Sequence, residues 1–205
     1  MTENAHMNLN LNLEPRSRGV DLALLAGLAL AMVATRANHF AAIPDASWAI
    51  FFAGGFYLRH FTRRASPLLM ALAVVVDWAV ITAQGINFWS HYCVSPGYWM
   101  LVPAYFSLWA GGMWVVKQEG SAGARVAKLA FAVVASVAVC QLFSQGGFYW
   151  LSDAVANKTV AGWAKNYMDW VGPYLMTTAM YVGGALALHI TAYTLLGQRT
   201  HTARG

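Results

Sequence analysis

Residues 126–150 read VAKLAFAVVASVAVCQLFSQGGFYW, a run in which Lys128 is the only charged side chain. About 20 predominantly apolar residues of α-helix cross the hydrocarbon core of a bilayer, so this run is long enough with residues to spare. It lacks the alternation of apolar and polar positions that a membrane β-strand would need. In lipid, a helix satisfies its own backbone hydrogen bonds. The run therefore reads as a transmembrane helix.

The rest of the chain agrees. Of 205 residues, 59% are hydrophobic and only 10% charged, against about 25% charged in soluble domains. A mean hydropathy of +0.48 leaves too few polar residues to cover a solvated surface. Five further apolar segments are predicted at 20–35, 46–61, 67–83, 98–116 and 170–196, each assigned as a helix. Pro44 and Asp45 suit the N-terminus of the second. The expected fold is an all-α integral membrane protein with six transmembrane helices in a single domain over 20–196. Polar tails at 1–19 and 197–205 flank it. The N-terminal tail shows no cleavable signal, and Ala5-His6-Met7 has the look of a cloning junction.

Lys and Arg set the expected orientation. With the N-terminus inside, Arg16, Arg18, Arg59, Arg63, Arg64, Lys117, Arg125, Lys128, Arg199 and Arg204 are cytoplasmic. Arg36, Lys158 and Lys165 are left outside, an asymmetry that follows the positive-inside rule. Both termini then face the cytoplasm, and two longer loops, 84–97 and 152–169, face outward. The net charge of +5 thus concerns topology, and nucleic acid is not an expected partner.

The loop before the fourth segment, Asn87-Phe88-Trp89-Ser90-His91-Tyr92-Cys93-Val94-Ser95-Pro96-Gly97-Tyr98-Trp99, mixes rings, hydrogen-bonding groups and one soft sulfur. A thiolate there suits a transition metal or nucleophilic chemistry, and His91, Tyr92 and Tyr98 could lower its pKa or position a ligand. The alternative is an unpaired cysteine at a helix entrance, since no metal-ligand spacing accompanies it. Cys140, inside Ala-Val-Cys-Gln-Leu, reads as core packing. Asp77, in the third segment, is an ionisable group in the membrane. It is either part of a binding site or an anchor between helices. Asp45 is explained by capping, with a ligand contact as the alternative. Aromatics and amides (Gln84, Asn87, Gln145, Asn157, Asn166) gather on the outer half, more varied than an interfacial belt requires. Ala23, Gly27 and Ala31 line one face of the first helix, either packing in the bundle or docking a partner. The histidines are too scattered in depth to pair around a haem. No Walker motif, HExxH, GxSxG or TVGYG occurs, which removes ATP hydrolysis by this chain alone and the commonest protease, esterase and potassium-channel readings.

Six helices in about 22 kDa, a small-residue stripe and a site built from outer loops resemble the substrate-binding S-components of energy-coupling-factor transporters. The His91-Tyr92-Cys93 segment followed by Tyr98, after a helix bearing Asp77, is similar to the BtuM family of small bacterial cobalamin transporters. That resemblance implies a bacterial inner-membrane protein that takes up cobalamin as its bound substrate, with the Cys93 thiolate as axial ligand of the cobalt. It implies supporting roles for Tyr98 and Asp77; His91, Tyr92 and Asp45 are further candidate contacts by their positions beside Cys93 and the outer cavity. It also implies thiolate-driven loss of cyanide from cyanocobalamin. An energising module could dock on Ala23, Gly27 and Ala31, although the family is thought to work without one. An S-component for another vitamin and a haem or quinone oxidoreductase are the alternatives.

Overall fold

The computed structural model describes residues 17–37 and 43–202, with side chains as far as residue 192. Readings that fall on His6, Arg16, His39, Arg204 and the first sixteen residues lie outside the described residues, as do those on the side chains of Arg199 and His201. The apolar runs form helices α1 (Arg18–Arg36), α2 (Ser47–Tyr57), α3 (Thr62–Ala83), α4 (Leu101–Val116), α5 (Ala122–Leu151) and α6 (Val160–Thr202). No strand occurs among the described residues. Short 3-10 turns cover Arg59–Phe61, Phe88–Ser90 and Pro96–Met100.

Among the described residues, five segments are long and apolar enough to cross a membrane: Arg18–Arg36, Arg59–Ala83, Pro96–Val116, Ala122–Leu151 and Val160–Ala192. The stretch expected as a second span differs. Its helix has 11 residues, which at ~1.5 Å each rise only about 16 Å, half the hydrocarbon thickness. It stops where Arg59 and His60 interrupt the apolar pattern, and Thr62 Oγ1 donates to the Arg59 carbonyl at 2.7 Å to hold the reversal. α3 then starts at Thr62, five residues before the expected boundary, and runs through Pro67.

The helices alternate in direction. Arg36 at the end of α1, Asp45 before α2, Asp77 late in α3 and Tyr105 early in α4 meet at one end of the bundle. At the other end Trp109 Nε1 donates to Thr62 Oγ1 at 3.0 Å, and Tyr57 Oη pairs with His189 Nδ1 of α6 at 3.3 Å. The core lies between α2 and α4. A methyl group on Gly55 would overlap the Trp109 backbone, and one on Gly112 would overlap the Phe52 carbonyl, so only hydrogen permits this approach. Small residues bring membrane helices together in this way because close van der Waals contact replaces the hydrophobic drive that lipid removes. Phe51, Phe52, Leu108, Trp109, Val137 and Cys140 fill the centre. Cys140 is fully buried, in keeping with its reading as core.

α1 and α6 are peripheral. Only 6% of the apolar window of each is buried, against 33% for α4 and α5. Ala23, Gly27 and Ala31 are all exposed, with open space around Gly27, so the small-residue stripe points away from the bundle. α6 also starts ten residues earlier than the sequence suggests. Residues 160–169, expected as part of an outer loop, form nearly three turns of helix. They are too polar to read as a span. Their helicity comes from contacts on one face with α5, including Tyr167 Oη to the Ala138 carbonyl at 2.9 Å, and from an exposed Lys165–Asp169 pair on the other.

Candidate functional site

Arg36 organises the end of the bundle that carries Cys93. The sequence places it in an outer loop, yet it occupies the last turn of α1 and is 6% exposed. Its Nε and Nη2 donate to the two carboxylate oxygens of Asp77 at 2.6 and 2.7 Å. This is the side-on bidentate geometry in which a guanidinium fits a carboxylate. Nη1 faces Asp45 Oδ2 at 3.2 Å, Ser47 Oγ at 3.1 Å and Tyr105 Oη at 3.0 Å. One side chain therefore joins α1, the start of α2, α3 and α4. A charge in this position is tolerable only because it is paired and saturated with acceptors.

Asp45 acts both as the helix opener its position suggests and as an ion-pair partner. Its Oδ1 accepts from the Ser47 backbone N–H at 2.9 Å and from Ser47 Oγ at 2.6 Å. Asp77 also holds the Cys93 loop, since Tyr98 Oη donates to its Oδ2 at 2.6 Å. Of the six residues singled out in the sequence, Asp45, Asp77 and Tyr98 are thus brought into one network.

Cys93, Tyr92 and His91 form the adjacent rim. Asn87 Oδ1 accepts from the Trp89 N–H at 2.9 Å and starts the turn. Buried Phe88 anchors it, with its ring edge-on to Tyr98. At Gly97 a side chain would collide with the Gly147 carbonyl of α5, so the loop lies directly on that helix. Tyr92 reaches Phe148 edge-on at 6.4 Å between ring centres. Cys93 is half-buried here and within electrostatic reach of Asp77, sixteen positions earlier in the chain.

The expected depression of the Cys93 pKa is not what the geometry produces. Burial pushes the thiol above its ordinary value, and the negative charge of Asp77 adds to that; pairing with the Tyr92 hydroxyl opposes them without prevailing. His91 takes another role, its Nδ1 accepting the Cys93 backbone N–H at 3.3 Å. Tyr98 is committed to Asp77. The balance favours the thiol form of Cys93.

Gln145 Nε2 donates to Asn166 Oδ1 at 2.8 Å across α5 and α6, uniting two of the amides that stood out in the sequence. Beside them Gln145 Oε1, Gln141 Oε1 and Trp163 Nε1 are buried without a hydrogen-bond partner. Arg36, Ser47 and Tyr105 were not among the sequence candidates. An arginine within one turn of a membrane helix end was the available signal, but counting it as a loop cation hid it. Comparison with protein-family models gives no match, and no curated protein matches the chain.

Proposed function

We propose that this protein binds cobalamin at the Cys93 end of the bundle and carries it across the bacterial inner membrane. The cobalt would be held through the Cys93 sulfur. The observation that carries this reading is the juxtaposition of a half-buried thiol with the Arg36–Asp77–Tyr98 network, which fixes the loop from below. Trp89, Tyr92 and Trp99 of the same segment are 64–73% exposed, offering ring surface to a large, partly apolar ligand. Ligation would exchange the S–H bond and the cobalt's bond to the nucleotide base for an S–Co bond, with the base set free and the thiol proton released to solvent. Cyanide would then leave with its electron pair and be protonated, with no change in cobalt oxidation state.

In this scheme the termini are cytoplasmic and the Cys93 loop is outside, and α2 completes a sixth, shortened passage. With Arg36 inside the bundle, Lys158 and Lys165 are the only outer cations left of the original three, so the positive-inside bias sharpens. The exposed Ala23, Gly27 and Ala31 favour a second reading, an S-component that docks an energising module on α1. Purified protein incubated with cyanocobalamin tests the main reading. A shifted visible spectrum is expected for the wild type and an unshifted one for Cys93→Ala; identical spectra would exclude cobalt ligation by this sulfur. Growth rescue of a cobalamin-dependent strain by this chain alone separates the two readings.

A further inference from the structure

The end of the bundle away from Cys93 carries an apolar groove between α2, α5 and α6. Phe52 and Phe56, Leu129, Val182 and Leu186 line it, Arg125 stands on its rim, and it encloses about 660 Å³ including the part open outward. α6 forms one wall although little of it is packed against the protein. Polarity is confined to one end. Ala122 and Arg125 belong to the first turn of α5, where the helix dipole attracts anions; Ser121 Oγ already accepts the Ala124 N–H at 3.3 Å. Arg125 Nε is oriented by the Gly120 carbonyl at 2.9 Å and Lys128 Nζ by the Glu119 carbonyl at 2.7 Å. Lys117, Arg125 and Lys128 outnumber the one carboxylate nearby in sequence, Glu119.

A long apolar slot ending at a cationic helix N-terminus matches one amphiphile in chain and head. We propose that the groove holds an acyl chain of a single anionic phospholipid, its phosphate at the first turn of α5 beside Arg125. The lipid would fill the space left between α6 and its neighbours α2 and α5. This assignment requires only that the chain sits in a bilayer and is independent of the corrinoid reading.

The test is lipid retention. Wild-type protein purified in a neutral detergent is expected to keep about one phosphatidylglycerol per chain by native mass spectrometry. After delipidation it should regain thermal stability with phosphatidylglycerol at severalfold lower concentration than with phosphatidylcholine. Arg125→Gln should abolish that preference while still taking up both lipids. Ala185→Phe, on the α6 wall, should retain neither. Equal uptake of the two lipids by wild type, unchanged retention in Ala185→Phe, or a two-chain mass that this substitution dissociates would each overturn the proposal, the last by assigning the groove to a second copy. Arg125→Gln lies on the rim and keeps the test open if Ala185→Phe does not fold.

Discussion

At the residue scale the chemistry of Cys93 is set by opposing local effects whose sum the sequence cannot give. A hydroxyl beside a sulfur favours the thiolate, while burial and a neighbouring carboxylate favour the thiol, and here the second pair prevails. A metal must therefore displace a proton to bind. Because the folded thiol titrates above its usual value, cobalt ligation should strengthen by about tenfold per pH unit between roughly pH 6 and 8. The titration can be followed in the visible spectrum of the complex. A flat profile would mean that the sulfur is not the ligand or is already ionised. Asp77 illustrates the complementary lesson: its cost in a membrane helix marked it for attention, but only the fold supplied Arg36 as the reason it persists.

At the element scale, Arg36 ties α1 to three other helices through charge. α1 also packs Met32 and the flanks of Leu24, Leu25 and Leu28 on the core, and the network adds to that attachment. Arg36→Leu would leave the part-buried Asp45 and Asp77 without their cation, at a cost up to the ~3–5 kcal/mol typical of breaking a buried pair. Replacing Asp77 by Leu in the same chain removes one orphaned carboxylate and should recover part of that loss. Equilibrium unfolding in mixed micelles measures both. If the double variant is no more stable than Arg36→Leu, the two side chains are not coupled as their 2.6 Å contact implies. α2 and α6 mark where pattern reading reached its limit. Hydropathy located both, but helix length depends on packing: Gly55 and Gly112 allow a short, buried α2, while contacts to α5 extend α6 through a polar stretch.

At the scale of the whole molecule, the two ends of the bundle differ in kind. One collects the paired charges, the exposed rings and the sulfur, and the other carries the apolar groove and its basic rim. With the Cys93 end outside, a membrane-impermeant maleimide should label right-side-out vesicles without permeabilisation. Mildly alkaline conditions compensate for the raised thiol pKa. Cys140, fully buried, stays unlabelled, and labelling that appears only after permeabilisation would reverse the proposed orientation.

Composition, run length and the lack of alternation determined that this is a helical membrane protein, because runs this continuously apolar satisfy their backbone in lipid as helices and do not fit barrel strands. They also singled out Cys93 and Asp77, since a reactive sulfur among rings and a carboxylate in a span are conspicuous as residue types. Only the tertiary structure decided that Arg36 belongs to the site, that Asp45, Asp77 and Tyr98 form one network, and that α2 is short. Those facts depend on which helix ends meet and how closely backbones approach, and long-range packing, not local pattern, sets both.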